Sequence, residues 1–204
     1  MASGFSFYSV SDEYFVSPVM NSSSFRIIDL IFGEEKSTPI FNDTSRVDFR
    51  IYTPEFMEKI KQVTQEGAGI FMSGSYVGSD LFGPKDSTAI KFAEQTLRFL
   101  PRTGHAVTIG KVYTTDYAKP AFSGKFNFNT EYTPSVYSVE APDAIEPAGK
   151  GAFCSFRYAE SNASAGVASV GDYNTVILGF PFETILSREQ REMLMNQILN
   201  FLKK

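Results

Sequence analysis

Residues 69–80 read GIFMSGSYVGSD, a short apolar run that ends in small and polar residues. Such a nearly continuous apolar run is typical of a strand that is buried on both faces of a parallel sheet. The residues before it have a helical pattern, in which Thr53 is placed to cap the helix, Pro54 occupies the first turn and apolar residues recur at helical spacing up to Gly67. A helix that leads directly into a buried strand predicts a βαβ crossover.

Two more apolar runs extend this pattern outward. FRIIDLIFG at residues 25–33 and TVILGF at residues 175–180 have the same two-sided apolar character. An amphipathic pattern begins at Ser87 and stops before Pro101, and another begins after Ser187, which is placed to cap it. We therefore predict that the three apolar runs are neighbouring strands of one mostly parallel sheet. The helices that cover this sheet are predicted near residues 54–66, 88–100 and 188–202.

The pattern of apolar and polar residues changes between residues 105 and 172. Short alternating segments such as KFNFNTEY and GAFCSFRY are separated there by Gly, Pro, Asn and Ser, which is typical of antiparallel strands and hairpins. The sequence therefore predicts an α/β fold with three layers, built on a mostly parallel sheet of the flavodoxin-like or amidotransferase-like kind, with an inserted antiparallel section at about 105–172. At 204 residues, the chain is expected to form a single domain, 1–204, since domains usually contain about 100–200 residues.

Composition excludes several classes of function. With 19 Lys+Arg against 23 Asp+Glu the formal net charge is −4, and no basic cluster is longer than a pair, so nucleic acid is not an expected partner. The apolar runs are too short for a membrane-spanning helix, which needs about 20 residues. The single cysteine, Cys154, and the single histidine, His105, provide neither a disulfide nor a metal-binding cluster. We expect no metal and no cofactor.

The candidate site is the turn that follows the run at 69–74. Ligands of open α/β sheets bind at the carboxyl ends of the strands, and the backbone amides of this turn could hold an anion or a carbonyl oxygen. Its spacing fits neither a phosphate-binding loop nor a nucleophile elbow, and small residues also simply allow a sharp turn. Glu34 and Glu183 follow the other two apolar runs and are expected at the rim. The predicted ligand-binding residues are Ser73, Gly74, Ser75, Gly78, Asp80, Glu183 and Glu34.

The sequence gives less support to a catalytic site than to a binding site. Cys154 lies among apolar and aromatic neighbours, where a cysteine is usually a small buried hydrophobe, and no spacing links it to His105 as a nucleophile and base. The adjacent carboxylates Glu34 and Glu35 could serve as an acid and a base, although adjacent glutamates in a loop are usually solvated.

Two segments resemble the class I glutamine amidotransferase-like superfamily. GIFMSGSYVGS resembles the strand and oxyanion turn of that superfamily, and VILGFPFETILSREQREMLMNQILNFL resembles its last strand and helix, where active members carry F-H-P-E. When Phe180 is aligned with the Phe of that motif, Pro181 takes the place of the catalytic His and Glu183 that of the Glu. The G-x-C-x-G nucleophile elbow is absent. The resemblance thus implies a domain that has lost the glutaminase mechanism.

A second resemblance covers nearly the whole chain. The segments YSVSDEYF, FRIIDLIFGEEKST, GIFMSGSYVGSDLF, GHAVTIGKVYTTDYA and VILGFPFETI are similar to a domain of secreted bacterial proteins labelled xanthan lyases. The resemblance implies a noncatalytic accessory domain of a longer, exported, polysaccharide-active protein, located in the periplasm or at the cell surface. Its implied partners are carbohydrate and the neighbouring domains of the parent chain. The alternative is an active lyase or hydrolase that uses a strand-end serine, Ser73 or Ser75, or Cys154.

Overall fold

A computed structural model of the chain describes residues 5–82 and 87–203. Helices and strands alternate irregularly along these residues. In chain order the elements are α1 (Asp12–Val16), β1 (Ile27–Gly33), β2 (Thr38–Ile40), β3 (Asp43–Asp48), α2 (Pro54–Gln65), β4 (Gly69–Gly74), α3 (Ser87–Phe92), β5 (Phe99–Thr103), β6 (Lys111–Thr114), β7 (Lys125–Asn127), β8 (Ala144–Pro147), β9 (Ala152–Tyr158), β10 (Ser164–Ser169), β11 (Thr175–Leu178) and α4 (Arg188–Leu202). Short 3₁₀ turns at Ser79–Phe82 and Phe182–Thr184 follow β4 and β11.

The main sheet has seven strands within the described residues, in the order β1-β4-β11-β10-β9-β6-β7. The three apolar runs are adjacent and mutually parallel, as predicted, with Ile28 beside Ile70 and Val176 beside Phe71. The four pairs beyond β11 are antiparallel. The prediction of a mostly parallel sheet is therefore wrong, and the chain has a mixed α/β fold. The antiparallel section is not a separate insertion, because β10 pairs with β11 and continues the same sheet.

Helices cover both faces of the parallel strands. Alternate residues of β4 point to opposite sides, so that Ile70 and Met72 contact the layer that contains α2 and α3, whereas Phe71 faces α4. The α4 side is filled largely by aromatic rings, among them Phe126 and Phe156 from the antiparallel strands β7 and β9. Phe128 and Phe180, which follow β7 and β11, stack beside them with 4.8 Å between ring centroids. The aromatic residues of the strand-like segments thus build the second half of the core.

The helix boundaries agree with the predictions at α2 and α4. Thr53 and Ser187 each accept a hydrogen bond from the backbone N–H three residues on, so both helices are capped as the sequence indicates. The helix predicted for 88–100 ends earlier. It passes into a π-helical segment at Ala93–Leu97, Arg98 takes a left-handed conformation with φ of 66°, and the chain continues as β5. β5 pairs with β8 in a separate two-stranded sheet, which tolerates Pro101 because the ladder there is short and open on one side.

Candidate functional site

The carboxyl ends of β1 and β4 lie side by side and place the predicted serines below the surface. The Ser75 N–H donates to the Gly33 carbonyl at 2.8 Å, which joins the two strand ends. Ser73 and Ser75 are both buried, and the Ser73 hydroxyl has no hydrogen-bond partner among the described residues. The Ser75 Oγ lies 3.4 Å from Glu34 Oε1. Of the two serines, the structure therefore brings only Ser75 into contact with a predicted rim residue.

The backbone amides of the turn hold a carboxylate that belongs to the chain itself. Asp143, the residue before β8, accepts hydrogen bonds on Oδ2 from the N–H groups of Gly78 and Ser79, each at 2.7 Å, and from the Ser79 hydroxyl at 3.2 Å. Its side chain is fully buried, and Oδ1 has no partner among the described residues. Burial raises the pKa of Asp143 to about 7, although the three hydrogen bonds act in the opposite direction. A carboxyl group does occupy this turn, as the turn amides suggest, but it belongs to the chain itself.

Asp80, the acidic residue of the same turn, is also engaged internally. Its carboxylate accepts hydrogen bonds from the backbone N–H of Ser37 at 2.7 Å and of Ile51 at 3.2 Å. These two hydrogen bonds hold both ends of the segment 37–51, which contains the β2–β3 hairpin. Gly74 is also explained by packing, since a Cβ there would lie 2.9 Å from Phe32 Cβ.

An open depression of about 420 Å³ lies at the carboxyl end of β1. Tyr137 donates to Glu183 Oε1 at 2.6 Å across it. Burial raises the pKa of the Tyr137 phenol, and the hydrogen bond to Glu183 together with the charges of Glu183 and Glu34 raises it further, so the group remains protonated. The depression is lined by Ile31, Phe32, Gly33, Glu34, Tyr137 and Glu183.

A second depression, of about 540 Å³, adjoins the first and shares Glu34 and Tyr137 with it. Its wall is the segment 132–138, which carries the Tyr132 side chain, 91% exposed. The buried Asn129 fixes this segment, because its Nδ2 lies 2.7–3.0 Å from three backbone carbonyl oxygens within 131–137, which share its two N–H donors. On the opposite side, the N–H of Glu140 donates to Glu34 Oε1 at 3.0 Å. The two depressions together form an open groove, which we call the Glu34 groove.

The structure thus brings together three of the seven predicted ligand-binding residues, Glu34, Glu183 and Ser75, at one strand-end region. The others, Ser73, Gly74, Gly78 and Asp80, are buried or bonded to other parts of the chain. Sequence reasoning missed Asp143 and the segment 132–138. The only local signal for this segment is its density of tyrosine and turn residues, YTPSVY at 132–137. No group of three or more His, Cys, Asp or Glu residues suited to a metal ion occurs within residues 5–82 and 87–203.

Cys154 and His105 are not placed as a catalytic pair by any contact of the described residues. Cys154 is half-buried on β9 rather than fully buried, and its thiol donates to the Phe156 carbonyl at 3.2 Å. Burial raises the pKa of the thiol. His105 lies in an exposed turn with φ of 50°.

We expect Cys154 to react slowly with thiol reagents in the folded protein. Because the raised pKa keeps the thiol protonated at neutral pH, iodoacetamide labelling at pH 7.4 should be at least about tenfold slower in the native state than in guanidinium chloride. Mass spectrometry of timed samples measures both rates, with Cys154→Ser as the blank. Native labelling as fast as that of the unfolded chain would contradict the prediction.

The fold and the groove define a mixed-sheet α/β protein with an internally filled strand-end turn. Solved structures with this fold include a cytoplasmic protein of Salmonella typhimurium LT2, STM1381, with a TM-score of 0.55 and 11% identity over 89% of this chain and 74% of that one. Another is the cytoplasmic protein STM3548 of Salmonella typhimurium, with a TM-score of 0.51 and 13% identity over 89% and 74% of the two chains. At these identities the likeness concerns the fold alone.

The same fold also matches part of a longer enzyme. The exo-β-1,4-mannosidase Op5Man5 from Opitutaceae bacterium strain TAV5 matches with a TM-score of 0.51 and 13% identity, over 91% of this chain but only 27% of the mannosidase. No protein-family model and no curated protein matches the sequence. Among the described residues, none of the helices combines the length and the apolar character needed to cross a membrane.

Proposed function

We propose that this chain is a noncatalytic, amidotransferase-like accessory domain that binds carbohydrate for an exported, polysaccharide-active protein. The observation that carries the proposal is the bonding of Asp143 to the turn amides. An oxyanion hole works only when its N–H groups are free to bind the oxygen on which charge develops. Here the N–H groups of Gly78 and Ser79 already donate to Asp143.

The surroundings of the candidate nucleophiles support the same proposal. An activated serine or cysteine needs a base within hydrogen-bond reach and an accessible position. Ser73 is fully buried without a partner, and Ser75 is fully buried beside a Glu34 oxygen that also accepts the Glu140 N–H. Pro181, at the position of the superfamily's catalytic His, provides no base.

The amidotransferase-like assignment is part of the proposal. It is supported by the three parallel strands β1, β4 and β11, which have α2 on one face and α4 on the other, and by the tight turn after β4. The match to an exo-β-1,4-mannosidase supports an accessory role, because the matched region is only about a quarter of that enzyme's chain. The exported location and the neighbouring domains rest on the resemblance to secreted proteins labelled xanthan lyases.

The Glu34 groove has the chemistry expected of a carbohydrate site. Sugar rings bind through hydrogen bonds from their hydroxyls to carboxylates and through packing of their C–H faces on aromatic rings. Glu34 and Glu183 provide the carboxylates, and the exposed ring of Tyr132 provides a flat surface beside them. The hydrogen bonds of Asn129 hold this ring's segment in place before a ligand arrives, which lowers the entropy cost of binding.

The experiment is affinity electrophoresis of the purified chain through gels that contain glucomannan, mixed-linkage β-glucan, xanthan or polygalacturonate. We expect at least one glycan to retard the protein, and Tyr132→Ala to weaken that binding about fivefold, since one stacked ring contributes roughly 1 kcal/mol. Tyr117→Ala is the matched control, because Tyr117 is 78% exposed and lines neither depression.

Activity assays on the same sample decide between binding and catalysis. We expect no ammonia from glutamine, no acid from generic esters and no unsaturated sugar from acidic polysaccharides. Product formation that disappears on Ser75→Ala or Cys154→Ala would replace the noncatalytic proposal with the lyase or hydrolase alternative.

A further inference from the structure

The charged side chains of the Glu34 groove are all of one sign. Glu34, Glu140 and Glu183 line its two depressions, whereas no Lys or Arg of residues 5–82 and 87–203 is among the lining residues. The nearest basic residue along the chain, Lys36, is directed to Tyr76, with its Nζ 3.3 Å from the Tyr76 hydroxyl and 4.6 Å from the ring centroid. A ligand in the groove therefore meets three carboxylates and no compensating cation from the groove's own lining.

The first depression also offers acceptors without free donors. Its polar side chains are two carboxylates, which can only accept when ionised, and the Tyr137 hydroxyl, whose proton is already donated to Glu183. Glu183 Oε2 is itself buried without a partner among the described residues, and a ligand that brings hydroxyl donors satisfies the remaining carboxylate oxygens as they lose water. A ligand that brings carboxylates leaves acceptors facing acceptors and adds like-charge repulsion, each of which opposes binding.

We propose that the Glu34 groove selects uncharged, hydroxyl-rich oligosaccharides and rejects chains that carry uronic acids. This inference rests on the proposed function, because it names the substrate class of the same groove. It differs from what the resemblance to proteins labelled xanthan lyases suggests, since xanthan is acidic. The domain then contacts a neutral glycan, or a neutral stretch of a mixed one, while acidic units remain outside the groove.

The test compares neutral and acidic probes at two salt concentrations. Isothermal titration with mannohexaose and with hexagalacturonate, in buffers containing 20 mM and 500 mM NaCl, should give measurable binding of the neutral sugar that changes less than about twofold with salt. The acidic sugar should bind at least about tenfold more weakly than the neutral sugar at low salt. Its affinity should rise when salt is added, because salt screens the charge repulsion.

Charge-neutral variants test whether the groove is responsible. Glu140→Gln keeps the shape of a groove residue and removes one charge, so it should strengthen hexagalacturonate binding severalfold at low salt. Glu58→Gln is the matched control, because Glu58 lies on α2 with a side chain 79% exposed, outside the groove. The control should leave binding of both sugars unchanged.

The outcomes separate the two proposals. If hexagalacturonate binds as tightly as mannohexaose at low salt and Tyr132→Ala weakens both, the charge selectivity is wrong while carbohydrate binding stands. If neither sugar binds and no polymer retards the protein in the gel assay, the proposed function fails and the selectivity with it.

Discussion

Gly179→Ala is expected to destabilise the folded protein severely. Gly179 follows β11, and a Cβ at this position would lie 2.1 Å from the Asp143 carbonyl oxygen and 3.0 Å from its carbon. Neither backbone can move away easily, because the Asp143 N–H donates to the Gly179 carbonyl and the buried Tyr158 hydroxyl bonds to both carbonyls. Relief of the clash must break several of these contacts. We expect a loss of at least about 4 kcal/mol, a large fraction of the 5–15 kcal/mol that stabilises an ordinary domain.

Urea unfolding followed by circular dichroism measures this loss. Gly171→Ala is the matched control, since its Cβ would meet only the Tyr173 carbonyl oxygen at 3.5 Å, an ordinary contact, and its backbone is not left-handed. We expect the control to stay within about 1 kcal/mol of the parent protein. A Gly179→Ala protein with the parent's unfolding midpoint would show that the approach of β11 to Asp143 is not as close as described.

The parallel half of the fold was predictable because its signals are local. Each apolar run and each capped amphipathic helix is recognisable within a short stretch of sequence. The structure therefore has β1, β4, β11, α2 and α4 at their predicted places. The antiparallel strands were also recognisable, but their place in the sheet was not. The pairing of β10 with β11 depends on a contact between whole strands, and alternation within a segment does not say which edge it joins.

The end of the predicted helix at 88–100 shows a conflict between local and tertiary signals. The apolar stripe continues to Leu100, yet Phe99 is fully buried as part of β5, which pairs with β8. The left-handed turn at Arg98 provides the change of direction, although nothing in the residue type favours it. Tertiary packing thus ends the helical segment three residues before the end that the sequence pattern predicts.

The candidate site was only half predictable for a similar reason. Glu34 and Glu183 could be placed because Glu34 directly follows β1 and Glu183 lies in the short turn after β11, two parallel strands of the same sheet. The burial of β1 was not predicted correctly, because β1 lies at the edge of the sheet and Ile31 is 65% exposed. Asp143 lies 64 residues beyond Ser79 along the chain, in the segment EAPDAIEP, which has no distinguishing motif. An internal carboxylate that fills an anion-binding turn leaves no signature in its own neighbourhood, because its partners are backbone amides.

Asp143→Ala is expected to destabilise the protein by about 3–5 kcal/mol, the usual cost of removing one partner from a buried charged contact. The variant leaves the N–H groups of Gly78 and Ser79 without an acceptor, and both lie in a turn that packs against β8. Asp143→Asn should be milder, at about 1–2 kcal/mol, because the amide oxygen still accepts these bonds. Urea unfolding at several pH values provides the comparison.

The pH dependence of the Asn variant has a defined sign. The pKa of Asp143 is raised to about 7 in the folded protein by burial, whereas an unfolded Asp titrates near 3.9. The folded state therefore binds the extra proton between these values, and the stability from this group falls as pH rises through that window. The Asn variant lacks this fall in stability with pH. Its deficit, the loss of unfolding free energy relative to the parent protein, should therefore be smaller at pH 7.5 than at pH 5. An equal deficit at the two pH values would indicate that Asp143 is ionised in the folded protein throughout this range.

Formate should partly restore the Asp143→Ala protein, because the deletion removes a carboxylate of formate's size while the turn amides remain. If the amides form an anion site in their own right, 300 mM sodium formate should stabilise the variant by about 1 kcal/mol, or roughly 2–4 °C in Tm, beyond the effect of equal sodium chloride. The parent protein, whose own carboxylate fills the turn, should show no such difference. Equal shifts in both proteins would mean that formate acts on the whole surface. No shift in the variant, with the loss of stability still present, would mean that the turn holds its shape only while Asp143 occupies it, so that the anion site is a product of that residue.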